Sequence, residues 1–267
     1  MLTPDEILSA ARRLDEAERT RKQIRMLSLD HPGMDMADAY AVQKAWIDLK
    51  IAAGRTVRGH KIGLTSKAMQ LALNIDIPDS GYLLDDMFFA DGATIPTDKF
   101  IGTRIEAEVA FVLNAPLSGP DCTLFDVLNA TDYVIPALEI LDTRILRVDP
   151  ETKKTRTVFD TIADNAANCG IVMGGRPIRP DAADLRWIGA IVSKNGAIEE
   201  TGLAAGVLNH PANGVAWLAN RMAEHGGALK AGEVVLAGSF IRPIEAGKGD
   251  TIVADYGPYG TVSCYFG

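Results

Sequence analysis

The chain has 267 residues, 47% hydrophobic and 23% charged, with a formal net charge of −8. That composition suits a globular protein with a sizeable core and excludes disorder. An acidic surface also lacks the concentrated positive field that nucleic-acid backbones require, so no nucleic-acid partner is expected.

The N-terminal stretch MLTPDEILSAARRLDEAERTRK carries no apolar core of signal-peptide length, and nothing approaches the roughly 20 apolar residues of a membrane span. A cytoplasmic protein with no membrane partner is the expectation. Cys122, Cys169 and Cys264 are odd in number and widely spaced, which gives neither a disulfide framework nor a zinc motif. The first helix is signalled by Thr3 as cap, Pro4 at its first position and Glu6 completing a capping box, with Ile7, Ala11, Leu14 and Ala17 at helical spacing. A second helix is expected from Asp35, with Ala39, Val42, Trp46, Leu49 and Ala53 in a three-four rhythm that Gly54 stops. From Val57 the pattern shifts to short apolar runs broken by Gly, Pro and Asp. Strands are expected at 57–63, 104–113, 133–141, 187–194, 233–240, 251–256 and 261–266, and helices at about 66–73, 122–130 and 211–224. The organisation is a helical N-terminal portion, 1–56, followed by a β-rich catalytic portion, 57–267.

The run Arg104-Ile105-Glu106-Ala107-Glu108-Val109-Ala110-Phe111 alternates, so a strand places Glu106 and Glu108 side by side on one face. A second strand, Tyr133 to Leu141, carries the single acid Glu139 in an apolar run, where an ionised carboxylate is costly unless paired or metal-bound. Three carboxylates on two apolar strands suit a hard cation, Mg²⁺ or Mn²⁺, and leave positions for substrate and water. A solvated strand face for Glu106 and Glu108, with Glu139 paired to Arg104 or Arg144, accounts for the same pattern.

The segment Gly59-His60-Lys61-Ile62-Gly63-Leu64-Thr65-Ser66-Lys67-Ala68-Met69-Gln70 resembles the signature of the hydratase/decarboxylase branch of the fumarylacetoacetate hydrolase superfamily. The glutamate strands, Asp160 to Asn168 and Leu236-Ala237-Gly238-Ser239-Phe240 resemble the same branch. The resemblance runs along essentially the whole chain. It implies an α+β fold, a mixed β-sheet roll with a helical N-terminal portion. It implies Mg²⁺, with Mn²⁺ able to substitute, on Glu106, Glu108 and Glu139, and a homo-oligomer such as a decamer. The implied reaction is hydration of a 2-hydroxy-dienoate with a distal carboxylate, a 2-oxo dicarboxylate substrate, with Lys61 and Asp79 handling protons; burial and the nearby cation are expected to lower the Lys61 pKa. The rival within the branch is decarboxylation of a 2-oxo-3-enedioate, and a turn role for Asp79 competes with a catalytic one. Asp164, Asn165 and Asn168 are candidates to surround the metal or water, and Ser239 to bind a substrate oxygen. His60 reads as a packed structural residue. The distal carboxylate needs a cation, sought in the basic stretch Arg144 to Arg156, which includes Arg147, Lys153 and Lys154, or in Arg104.

Overall fold

The N-terminal expectations are met residue by residue in the computed structural model, which describes residues 1–67, 70–71 and 77–267. Thr3 caps α1 (Pro4–Thr20), with the Glu6 side chain returning the bond, and Ala10, Ala11, Leu14 and Ala17 are buried. After a single turn, α2 (Leu27–Asp30), comes α3 (Met36–Ala52), capped by Asp35 and followed by Gly54 at φ 95°. The α1–α3 core also takes in Ile145, Ile162 and Ala163, so the helices bury their apolar faces against later parts of the chain. Gln43 on α3 donates 2.8 Å hydrogen bonds to the carbonyls of both Ser80 and Ile162. The helix expected over 66–73 falls partly on residues 68, 69, 72 and 73, which lie outside the described set.

The strands are β1 (Val57–Gly63), β2 (Asp79–Leu84), β3 (Phe88–Ala90), β4 (Ala93–Ile95), β5 (Arg104–Leu113), β6 (Thr131–Leu141), β7 (Asn168–Met173), β8 (Gly189–Lys194), β9 (Ala197–Leu203), β10 (Val234–Leu236), β11 (Ile244–Glu245), β12 (Thr251–Asp255) and β13 (Thr261–Phe266). They form two mixed sheets. The larger runs β2-β1-β10-β5-β6-β7-β3 with β11 also on β5, and the smaller runs β4-β13-β12-β8-β9. This is the mixed-sheet α+β roll the sequence implies.

Alternation decides what each face does. The odd residues of β5, Ile105, Ala107, Val109 and Phe111, join Leu138 and Ile140 of β6 in the core, together with Val192, Ile252, Val262 and Phe266 of the smaller sheet. The even residues face the other way. There Ala110, Ala137, Ile171, Val234 and Leu236 form a smaller apolar patch, and the glutamates stand beside it. β2 is a strand where Pro78, Ser80 and Gly81 read as a turn; it pairs only with β1, and the side chains of Gln43, Asn165 and Asn168 bond its other edge. The helix Val158–Ala163, capped by Thr157 with Asp160, has too few turns to show periodicity.

Candidate functional site

The register of the larger sheet brings the ionisable groups to one face. Glu106 on β5 lies directly opposite Glu139 on β6, and Glu108 opposite Ala137. Lys61 is level with Leu236 on β10, which is level with Ala110 on β5, so its side chain emerges on the glutamate side. Across the β1–β2 pair, Gly63 faces Asp79. The solvated-face alternative therefore fails for Glu108, which is fully buried, while Glu106 is half-buried; Glu139, also fully buried, lies beside Lys61 and not beside Arg104 or Arg144. One carboxylate oxygen from each of the three glutamates lies within 4.8 Å of the others, a spacing that can hold a metal ion.

The chemistry of the cluster fits a hard cation. Glu108 Oε1, both Glu139 carboxylate oxygens and Asp79 Oδ1 are buried with no hydrogen-bond partner among the described residues. Orphaned anionic oxygens converging on one point are costly unless positive charge lies between them. Burial first, and Glu139 second, push the Glu106 carboxyl up to about 8, and the same causes raise Glu108 well above its ordinary range; burial raises Glu139 as well.

Lys61 Nζ is 3.4 Å from Glu139 Oε1. Its burial alone favours the neutral amine, but the surrounding carboxylates of Glu139, Asp79, Glu106 and Glu108 outweigh that and hold the ammonium above the ordinary lysine range. The lowered pKa expected from sequence is thus corrected: four acids face this lysine, and their field exceeds the desolvation cost. The Asp79 carboxyl is likewise pushed up, by burial, with Lys61 and Arg156 opposing. Gly63 is what allows these two side chains to meet. A Cβ there would sit 2.2 Å from Asp79 Oδ1 and 3.1 Å from Lys61 Nζ, in the space the pair uses.

Two further supports hold Glu108 and its strand in place. The Gly238 N–H donates a 2.8 Å hydrogen bond to Glu108 Oε2, from a backbone at φ 116° that only glycine adopts easily, with Thr65 packed where a Cβ would go. The Tyr256 hydroxyl, arriving from the smaller sheet, lies 2.9 Å from the Glu108 carbonyl and 2.6 Å from that of Ala137, pinning β5 to β6 behind the carboxylates. The glycine in Leu236 to Phe240 was a usable signal. A tyrosine at a strand end was not.

Several sequence candidates are placed elsewhere. Arg144 is fully buried, pointing toward α3 with its guanidinium 5.0 Å from the Trp46 ring centroid. Asp164 holds it, taking Arg144 Nε at 2.5 Å and its backbone N–H at 2.8 Å. Neither is free to meet a substrate, because each is the other's buried counter-charge. Asn165 spends its side chain on β2, accepting the Tyr82 N–H at 2.7 Å and donating to the Tyr82 carbonyl at 3.0 Å, which Asn168 also reaches. The two asparagines thereby complete the outer edge of the strand that carries Asp79. They stand at the ends of a left-handed turn, Asn165-Ala166-Ala167 at φ 53°, 50° and 60°, a conformation that costs on the order of 1 kcal/mol per non-glycine residue. The Ser239 hydroxyl lies 2.9 Å from the Ile241 carbonyl and accepts the Ile241 N–H, so it closes a local turn. His60 is buried against Tyr82, and burial pulls its pKa down to about 4, in keeping with a packed neutral ring. Arg104, on the glutamate face, reaches Glu245 at 2.7 Å.

With this geometry in hand, similarity to known proteins becomes decisive. The chain is 64% identical over 256 residues, 96% of each chain, to the 2-oxo-hept-4-ene-1,7-dioate hydratase of Escherichia coli. The chain belongs to the hydratase/decarboxylase branch of the fumarylacetoacetate hydrolase family. It is also 38% identical over 265 residues to a 4-oxalocrotonate decarboxylase of Pseudomonas sp. (strain CF600), covering 99% of this chain and 98% of the relative. Among solved structures, the 4-oxalocrotonate decarboxylase from Pseudomonas putida G7, complexed with magnesium and adipate, superposes with a TM-score of 0.94 at 37% identity, covering 100% of this chain and 99% of its own. A fumarylpyruvate hydrolase from Pseudomonas aeruginosa shares the fold, with a TM-score of 0.60 at 12% identity over 78% of this chain and 88% of that one. No family model matches the sequence.

Proposed function

We propose that the protein is a hydro-lyase that adds water to 2-hydroxyhepta-2,4-diene-1,7-dioate, giving 4-hydroxy-2-oxoheptane-1,7-dioate in homoprotocatechuate degradation. The observation that carries the reading is the convergence of Glu106, Glu108, Glu139, Lys61 and Asp79 on one buried face, in a chain 64% identical to a hydratase of that substrate family. A divalent cation, Mg²⁺ or Mn²⁺, held by the three glutamates supplies Lewis-acid polarisation of the 2-oxo acid end. A relative's structure holds magnesium and a dicarboxylate together, which supports both halves of that assignment.

The chain's own groups do the proton work. Lys61 and Asp79 share the space over Gly63, one cationic and the other drawn toward its protonated form by burial. The enol must first ketonise to the 2-oxo-3-ene: the pair removes the 2-hydroxyl proton and delivers one to C5. Water then adds at C4, and the pair takes its proton and places one on C3. Each half removes and delivers one proton, so the pair ends as it began. Asn165 and Asn168 contribute by holding β2, and hence Asp79, in register. The free, buried cysteines suit a reducing cytoplasm, and a homo-oligomer, a decamer by resemblance, is the expected assembly.

The direct test is the conjugated-dienoate absorbance, which the purified protein should abolish with Mg²⁺ and leave intact with EDTA. Activity that survives complete metal removal sinks the reading. The rival decarboxylase is carried by a relative at 38% identity, and CO₂ release from 2-oxo-3-hexenedioate at a rate matching hydration would favour it.

The raised carboxylates give a second check. A carboxyl whose folded pKa exceeds its unfolded value costs nothing below the unfolded value and destabilises the fold as pH rises through the folded one. For Glu106 that window runs from 4.5 to about 8. The metal-free protein therefore loses stability across this range, and ionised ligands bind the cation more tightly. The rise in Tm on adding MgCl₂ should be larger at pH 8.5 than at pH 6; an increment that does not change with pH would argue against a carboxylate-held cation.

A further inference from the structure

The arginines of the segment after β6 divide into two groups. Arg144 has Asp164, and Arg25, reaching into the segment, has Asp149. Arg147 and Arg156 have no ion pair among the described residues. Both are withdrawn from bulk water, Arg147 half-buried and Arg156 more deeply so, and desolvation is the largest influence on each. Unpaired guanidiniums in such positions are unfavourable in the free protein.

The two are built side by side. The Arg156 N–H donates to the Arg147 carbonyl at 3.0 Å, and Val148 bridges Thr155, so the loop between them is a closed hairpin. Asp149 ties its turn by accepting the N–H of Thr152 at 2.7 Å. Arg156 Nη1 donates to Thr143 Oγ1 at 2.6 Å, which fixes one edge of its fork and leaves its other N–H groups without a partner among the described residues. Their charges locate them relative to the site: Arg156 acts on Asp79 and on Arg147, while Arg104 acts on Arg147 and on Glu106. Arg156 is thus within electrostatic reach of Asp79, and Arg147 within reach of Arg104 and Arg156. Glu106 is the most exposed of the three glutamates, and Arg104, on its face of β5, opens with Thr143 and Arg147 onto a cleft of about 690 Å³.

We infer that Arg147 and Arg156 form the receptor for the distal carboxylate of the substrate, and so select a dioate over a monoacid. This deepens the hydratase reading and rests on it. A planar fork meets a carboxylate with two parallel hydrogen bonds, and an anion between two like-charged forks removes their repulsion. Burial together with that repulsion holds the Arg147 guanidinium down to about 10, a penalty that a bound carboxylate relieves. Lys153 and Lys154, at the exposed tip of the hairpin, take no part.

Calorimetric binding to the Mg²⁺-loaded protein separates the two levels. The probes are 2-oxoheptanedioate and 2-oxoheptanoate, which share the 2-oxo acid head and, being saturated, add no water. The unmodified protein should prefer the diacid. Arg147→Met, a half-buried position that keeps its fold by melting, should weaken diacid binding about 10- to 100-fold, the value of a lost charge-assisted pair, and leave the monoacid within twofold. Arg147→Lys should restore part of the preference, and Arg156→Met should act in the same direction as Arg147→Met. A diacid preference that persists unchanged in Arg147→Met overturns the receptor. An unmodified protein that binds neither acid with Mg²⁺ overturns the hydratase reading and the receptor with it. One that binds both acids equally overturns the receptor alone.

Discussion

Glu108→Gln is expected to fold at least as stably as the unmodified protein and to lose both its response to divalent cations and its hydration activity. The separation follows from the two oxygens of this side chain. Oε2 accepts the Gly238 N–H at 2.8 Å, a bond that a glutamine carbonyl keeps. Oε1 is buried with no hydrogen-bond partner among the described residues, facing the like charges of Glu106 and Glu139. An amide NH₂ in its place donates to those carboxylates and removes one unsolvated charge from the cluster. In the absence of metal, therefore, Tm should stay level or rise. With one anionic ligand of three gone, the Tm increase on adding MgCl₂ should vanish. The Lewis-acid contribution of several kcal/mol goes with it, and kcat/KM should fall on the order of 10³-fold, about 4 kcal/mol. A variant that keeps its Mg²⁺ response, or activity within tenfold, would show that Glu108 holds no cation. A variant that simply unfolds would show that the carboxylates stabilise the sheet as they stand.

What the sequence disclosed, and what it withheld, divides along the range of the interactions. The α1 cap at Thr3–Glu6 and the strand Arg104–Leu113 were readable to the residue, because capping boxes and period-two alternation are local. Alternation also paired Glu106 with Glu108. That Glu139 joins them depends on the β5–β6 register, which no local pattern states, and the resemblance to a known family supplied it. Lys61 and Asp79 meet because β2 pairs with β1, yet β2 reads as a turn from its Ser-Gly composition. The basic stretch Arg144 to Arg156 was correctly marked as a place to seek a cation, but its members look alike in sequence. Only burial and partners separate Arg144, neutralised by Asp164, from Arg147 and Arg156, which are not. The Lys61 pKa was misjudged for a related reason. Sequence shows the apolar strand that desolvates it, whereas the four acids that outweigh desolvation come from three other strands.

The second large effect lies on that Arg144–Asp164 pair and concerns stability. Asp164→Ala removes the acceptor of Arg144 Nε and of its backbone N–H, and of the Thr143 hydroxyl at 3.0 Å. It strands a guanidinium that is fully buried between the larger sheet and Trp46 of α3. Breaking a buried pair from one side costs about 3–5 kcal/mol, since the remaining charge stays desolvated, and for a chain of this size that lowers Tm by roughly 10 °C. Removing both charges is a different matter. Arg144→Met with Asp164→Leu replaces the pair by apolar volume, and most of the lost stability should return, because two desolvation penalties disappear together with one attraction. Thermal melts of the two single variants and the double give the coupling directly. Single variants within about 1 kcal/mol of the unmodified protein would mean that water reaches the pair. The same double variant also bears on specificity. If Arg144 is a strut between the N-terminal helices and the sheet, the folded double variant keeps its preference for a diacid over a monoacid; a well-folded double variant that loses that preference would return Arg144 to the substrate and remove Arg147 from it.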